Sequence, residues 1–245
     1  MLAEMLVRSG HMLVRGYPPE GRDYWSQRFW NRDEAESRPI LGDDFRAQKE
    51  QIADLLQRYS EGTPRILEFA CGTGEITAMA AKVTAAREIV ATDISEQALD
   101  IAARRVDFPG VRFVQGDFWA DNDLGTADLV VCVDAIHHLG DVRAVLRRLA
   151  SHVAPHGVFI GNLWTLDNFH EYQRQRYGNF RHLGRASLFF ATALTMRMSA
   201  GRIRTASYRT QLLPSHDLDP LLREVFSEIL EVHSTRHFAC FACRP

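Results

Sequence analysis

The chain has 245 residues, 46% apolar and 24% charged, with a formal net charge of −2. That length suits one α/β domain with an extra lobe, and a charge near zero gives no global reason to expect nucleic acid or an anionic membrane as partner. The four cysteines, Cys71, Cys132, Cys240 and Cys243, form no spaced framework, which points to a reduced, cytoplasmic setting rather than a secreted one.

The opening stretch MLAEMLVRSGHMLVRG is apolar, but Glu4, Arg8, His11 and Arg15 interrupt it well short of a signal h-region or a membrane span. Leu2, Met5, Leu6, Met12 and Leu13 recur at roughly helical spacing. The segment therefore reads as an amphipathic helix that caps the fold or packs on a partner subunit, a candidate homodimer contact. GYPPEGRDYW and further aromatic residues through Trp30 lead to LGDDFRAQKEQIADLLQRY. There Phe45, Ile52, Leu55, Leu56 and Tyr59 share one helical face, with Asp43 or Asp44 as the expected N-cap.

From that point the pattern alternates. RILEFAC, REIVATDI, VRFVQGD, ADLVVCVDA and GVFIGNLW read as strands, and EITAMAAKV, SEQALDIAARRV and DVRAVLRRLASHV as helices, the second capped by Ser95. Strands and helices in this order imply a parallel sheet covered on both faces. LDPLLREVF then reads as a helix, and SEILEVHS and RHFACFAC as two adjacent strands. Cys240 and Cys243, three apart on one strand, point to opposite faces and make no metal or redox pair. Residues 163–213 exceed what a simple connection needs. They hold an aromatic, arginine-rich segment, an apolar helix-like run and a candidate strand, GRIRTASYRTQL. The expected organisation is a helical cap over 1–60, a sheet domain from 61–162 and 214–245, and an inserted substrate-binding lobe over 163–213.

The chemistry concentrates in ILEFACGTGEIT, residues 66–77. Gly72 and Gly74 allow a sharp turn and close approach of backbone to a ligand, with the free amides of the next helix facing it. Asp93 ends the second strand about twenty residues later, where a carboxylate accepts hydrogen bonds from ribose hydroxyls. A dinucleotide turn would place a small residue where Thr77 stands. Glu68, ahead of the glycines, would repel a pyrophosphate but attract an ammonium or sulfonium. The pattern thus favours a cationic, ribose-bearing cofactor without phosphates.

With these residues in place, the chain resembles the class I S-adenosylmethionine-dependent methyltransferases of small-molecule type. ILEFACGTGEIT resembles their first motif, ATDIS the acid-ended second strand, QGDFW the third-strand motif and DLVVCVDAIHHL the fourth, over about residues 60–165, with the closing strands alike over 215–243. The resemblance implies a Rossmann-like, doubly wound, mostly parallel seven-stranded sheet with an antiparallel last strand, an N-terminal helical segment and a lid inserted after strand five. It also implies S-adenosylmethionine as cofactor and S-adenosylhomocysteine as product. Glu68 would hold the methionine ammonium, with Ala70, Gly72 and Gly74 giving backbone around the methionine. Asp93 would bind the ribose diol and Ile94 pack on the adenine. Asp117 would accept from the adenine amino group with Phe118 beside the ring, and Val133 and Asp134 would line the sulfonium end. Alanine at position 70 departs from the glycine frequent there.

The acceptor is less legible. His137 and His138, just past strand four, are candidates for the base that removes a hydroxyl proton. They favour O-methylation, with N-methylation close behind. No acidic cluster accompanies them to make a metal site. Asp134-Ala135-Ile136-His137 also lacks the Asn/Asp-Pro-Pro-aromatic turn associated with methylation of nucleobase amino groups or glutamine. Aromatic walls suit a small, partly apolar acceptor, and Tyr24, Trp30, Trp164, Tyr172 and Tyr177 are the candidate contacts. Arg174, Arg176, Arg181 and Arg185 form a basic run that reads as a solvated helix face, a carboxylate or phosphate contact, or an RNA contact. The rivals to a small-molecule methyltransferase are a tRNA or protein methyltransferase and a non-catalytic module that only binds the cofactor.

Overall fold

The computed structural model describes residues 1–14, 25, 36–37, 41–120, 123–203 and 212–245. Its apolar runs become β1 (Arg65–Phe69), β2 (Glu88–Asp93), β3 (Val111–Gln115), β4 (Ala127–Cys132), β5 (Val153–Trp164), β6 (Glu228–Ser234) and β7 (Phe238–Arg244). They form one sheet in the order β3-β2-β1-β4-β5-β7-β6. β1 to β5 pair in parallel, and β7 runs antiparallel to both β5 and β6. Strand order reverses between β1 and β4, where an open α/β sheet binds its ligand beyond the carboxyl ends of the strands.

Strands covered on both faces must be apolar on both, and β1 shows why RILEF carries no polar alternation. Leu67 and Phe69 join Val90, Val130, Phe159 and Phe241 beneath α5 (Val142–Ser151) and α8 (Leu218–Arg223). Ile66 joins Ile89, Leu129, Val131 and Ile160 on the other face, beneath α2 (Gly42–Tyr59) and α3 (Glu75–Val83). Cys240 lies in the second of these cores and Cys243 in the first, as expected for residues three apart on a strand. All four cysteines are buried, and none forms a disulfide.

Helix boundaries follow their caps. Ser95 accepts from the Ala98 N–H to open α4 (Glu96–Arg105), and Asp141 does the same for α5 through Ala144 N–H. α2 differs from expectation. Neither Asp43 nor Asp44 is its N-cap, because the helix begins at Gly42 behind Leu41. Both aspartates fall in the first turn, Asp43 paired with Arg46 and Asp44 3.0 Å from His237.

The insertion after β5 is helical, α6 (Phe169–Tyr177) followed by α7 (Asn179–Met198). α1 (Leu2–Val14) packs on it through Val7, against Ala186, Phe189 and Ala193. At Gly10 an added Cβ would stand 2.5 Å from the Phe189 ring, so glycine there lets the two helices touch. α2 packs on the sheet and α1 on the inserted helices, while Leu2, Met5 and Met12 of the α1 apolar stripe stay exposed. The candidate strand GRIRTASYRTQL lies mostly outside the described residues. Among the described residues no helix is long and apolar enough to cross a membrane.

Candidate active site

A cavity opens at the switch point, lined by residues that follow β1, β2, β3 and β4. After Phe69 the backbone enters the left-handed region at Ala70 (φ 54°), Gly72 (54°) and Gly74 (75°). The glycine preference at position 70 is thus conformational, and Ala70 holds that region with a methyl group in place. The turn grips the acid at the end of β2. Gly72 N–H donates to Asp93 Oδ2 at 2.9 Å, and Ser95 N–H to Oδ1 at 2.8 Å. Burial raises the Asp93 carboxyl, and these backbone donors oppose the rise. Gly74 does not line the cavity. It caps α3, and a Cβ there would lie 2.7 Å from the Cβ of Ala102 on α4, so its smallness serves helix packing.

Glu68 is 3% exposed and lines the cavity floor. Thr77 Oγ1 donates to its Oε2 at 2.6 Å, and no cation bridges it among the described residues. Burial without a counter-charge pushes its pKa up to about 8, against the pull of the Thr77 bond. Thr77, where a dinucleotide turn would want a small residue, is thus the partner of the buried acid.

Along the rim, Ile94, Asp117, Phe118 and Val133 all face the cavity. Asp117 Oδ1 accepts from Trp119 N–H at 2.9 Å. The Trp119 indole donates to Leu139 carbonyl oxygen at 2.7 Å, tying the β3 loop to the β4 loop. Phe118 stands edge-on to Phe69 and Trp119. Asp134 also lines the cavity, in the left-handed region at φ 57°. Its Oδ1 accepts from Gln48 Nε2 at 2.7 Å and Asn162 Nδ2 at 2.8 Å, while its own N–H donates to Asn162 Oδ1 at 2.6 Å. Gln48 and Asn162 are fully buried. Reading the sequence passed over both. Their signal was a polar residue in the apolar stripe of α2 beside Phe45 and Ile52, and another inside the FIGNLW strand.

The two histidines separate. His138 lines the cavity, 5.3 Å from the Trp25 ring, whereas His137 does not line it and lies edge-on to Trp164 at 6.5 Å. Burial lowers both imidazoles, His138 to about 4, so each is neutral at pH 7. The candidate substrate rings are also redistributed. Trp164 and Tyr172 pack with Leu41, Phe45 and Phe238, joining the lobe to the sheet, and neither reaches the cavity. Tyr177 is bracketed by the guanidinium groups of Arg176 and Arg185 at 5.0 and 4.5 Å. These rings pack because the lobe needs its own apolar interior. Tyr24 and Trp30 lie outside the described residues; Trp25 and Trp119 are rings that do line the cavity. Part of the arginine run is likewise paired within the chain, with Arg174 2.9 Å from Glu4 and Arg176 2.6 Å from the Tyr172 hydroxyl. No group of three metal-ligating side chains occurs among the described residues.

The sheet order, the glycine turn after β1 and the acids closing the first strands define the class I methyltransferase fold. Residues 67–159 match a family described as a methyltransferase domain. Magnesium protoporphyrin IX methyltransferase from Synechocystis, solved with bound S-adenosylhomocysteine, shares the fold with a TM-score of 0.61 at 17% identity, over 91% of this chain and 98% of that one. Malonyl-[acyl-carrier protein] O-methyltransferase from Bacillus cereus is 30% identical over 121 residues, 49% of this chain and 45% of that protein. A mitochondrial arginine hydroxylase from Mus musculus is also 30% identical over 121 residues, 49% of this chain and 35% of that protein. The chain spans less than half the length of these two curated relatives, and the family match ends before the inserted lobe begins.

Proposed function

We propose that this chain is an S-adenosylmethionine-dependent methyltransferase that methylates a small organic acceptor and releases S-adenosylhomocysteine. The observation that carries this reading is Glu68, a buried carboxyl group with no cation beside it among the described residues, set behind the glycine turn with Asp93 and Asp117 lining the same cavity. Glu68 would receive the methionine ammonium, Asp93 the ribose hydroxyls and Asp117 the adenine amino group, with Ile94 and Phe118 against the base. Bound there, the cofactor supplies a methyl group activated on sulfur.

The chain's own task is positional. Val133, Asp134 and His138 also line the cavity, and an acceptor atom must stand about 3 Å from the methyl and in line with the breaking bond. His138 presents a neutral imidazole to the cavity, and Trp25, Trp119 and Leu139 add apolar wall.

Calorimetry with S-adenosylhomocysteine and with NAD tests the reading. Micromolar binding of the first and none of the second is expected. Preference for NAD would overturn it. Because one relative is named a hydroxylase, the mass of the acceptor after turnover completes the test. It should gain a methyl group and no oxygen.

A further inference from the structure

We infer that the outer face of α7 lies on an anionic lipid surface, with Phe180, Leu188, Leu194 and Met198 entering the boundary between headgroups and acyl chains and arginines meeting the headgroups. This contact is independent of the methyltransferase reading above.

α7 is apolar on two sides. Ala186, Phe189 and Ala193 face inward with Val7 of α1. Phe180, Gly184, Ser187, Ala191, Leu194 and Met198 recur at intervals of three and four on the solvent side. All six are exposed, Leu188 stands beside them at 61% exposure, and none is charged. At Gly184 an added Cβ would meet nothing within 4 Å. A surface helix ordinarily turns charge to water, so an outer apolar stripe about 27 Å long calls for a partner. Exposed apolar side chains are also unevenly shared. Among the described residues the large ones fall within residues 1–14 and 179–203, apart from Val83 and Trp119. α1, packed against α7, contributes Leu2, Met5 and Met12.

Charge is as lopsided. Residues 163–213 hold eight arginines against Asp167 and Glu171, in a chain with 29 basic and 31 acidic residues. The lobe is therefore cationic and the rest of the chain anionic, an asymmetry that the near-zero total conceals. Arg181 follows Phe180 and Arg197 precedes Met198, so they lie about 100° round the helix from the stripe, on opposite sides of it. Both, with Arg8 and Arg202, are exposed, and their side chains make no hydrogen bond or ion pair among the described residues. An apolar stripe edged by unpaired arginines suits a helix lying in a bilayer interface, where acyl chains take the stripe and phosphates the guanidinium groups.

Other occupants fit less well. A second copy of the chain would set one cationic face against another, because a two-fold interface repeats the same patch. Single-stranded RNA would want aromatic platforms among the arginines, and Phe180 is the one exposed aromatic ring of α7.

Cosedimentation with vesicles tests the contact, setting phosphatidylcholine alone against phosphatidylcholine mixed with phosphatidylserine. The mixed vesicles should bind the protein at least about tenfold better, and high salt should remove most of that preference. Phe180→Ser with Leu188→Ser should weaken binding to the mixed vesicles at least about tenfold at an unchanged melting temperature, since both side chains already face water. Val83→Ser, at an exposed apolar residue outside the lobe, should leave binding unchanged. Arg181→Gln with Arg197→Gln should narrow the preference for the anionic vesicles several-fold. Equal binding to the two kinds of vesicle overturns the inference. So does undiminished binding by the Phe180→Ser, Leu188→Ser protein, or an equal loss in Val83→Ser. A dimer that the two serine substitutions split, or single-stranded RNA bound in preference to the mixed vesicles, overturns it as well.

Discussion

The cavity half of the sheet and the helical lobe of α1, α6 and α7 use the same residue types to opposite ends. At the strand tips, acids and glycines are fixed by backbone geometry: Asp93 is gripped by Gly72 and Ser95 amides, and Glu68 is buried beside Thr77. In the lobe, aromatic and charged side chains answer one another, Tyr172 with Arg176, Arg174 with Glu4, Phe189 with Gly10. One region gathers its polar groups around a cavity and the other packs on itself. Substitutions in the first should therefore change affinity, and those in the second stability.

The largest expected contrast sets Asp93→Ala against Trp164→Ala. On the proposed reading, removing the Asp93 carboxylate deletes the acceptor for the ribose hydroxyls and frees two backbone donors, so S-adenosylhomocysteine affinity should fall about 100-fold or more by calorimetry. Trp164 packs between Phe169, Tyr172 and Phe238. Its truncation should cost about 3 kcal/mol by denaturant unfolding and leave that affinity within about threefold. A large affinity loss in Trp164→Ala would return this ring to the binding site and break the distinction.

Gly74→Ala comes next and sharpens it, because this glycine belongs to the fingerprint turn yet faces α4. A Cβ at φ 75°, 2.7 Å from Ala102, should lower stability by about 1–3 kcal/mol, read as a lower melting temperature, with little change in ligand affinity among molecules that remain folded.

That case also marks how far the sequence could be read. That Glu68, Gly72, Asp93 and Asp117 meet at one cavity was legible because the residues at the carboxyl ends of parallel strands converge at the switch point. The role of Gly74 was not, since φ above zero and close helix approach leave the same letter in the chain. Gln48 and Asn162 showed only as polar residues in apolar runs, and their role stayed hidden for a related reason: their partner, Asp134, lies 86 and 28 residues away, and only the fold brings the three together. The lobe's rings were ambiguous because an apolar interior and an apolar binding wall draw on the same residues. Paired histidines likewise carried no information on direction, and one turn of 3-10 helix over Ile136–His138 sends His138 to the cavity and His137 away from it.

The two halves should answer pH with opposite sign. Glu68 titrates near 8 in the folded chain against an ordinary 4.5, so between those values the folded state holds a proton that the unfolded chain has lost. Its contribution to stability falls as pH rises through that window. Glu68→Gln should remove this fall, visible as a flatter melting temperature between about pH 5 and 8 than in the parent protein. In the lobe, burial lowers His11 and His170 to about 4 from an ordinary 6.5. There the unfolded chain takes up protons first as pH drops, so stability is lost on acidification from about 6.5 towards 4. Hydrogen exchange by peptide should show α1, α6 and α7 opening at low pH, while the Glu68 effect on β1 and α3 runs the other way.

The smallest effect belongs to Arg174→Ala. Arg174 spans from α6 to Glu4 on α1 at 2.9 Å, and Glu4 is held down to about 2 by the terminal amino group and by this guanidinium. Such a depressed carboxyl adds stability above its ordinary range and loses it as pH falls towards 2. Both side chains are more than a third exposed, however, so water and salt screen most of the attraction. The variant should lose less than about 1 kcal/mol by denaturant unfolding, a loss that shrinks further in high salt. The α1–α7 contact should persist in hydrogen exchange, since Val7, Phe189 and Ala193 bury it without help from charge. If α1 instead detached in Arg174→Ala, the lobe would be held by electrostatics rather than by its apolar seam, and the contrast between the two halves would have to be drawn elsewhere.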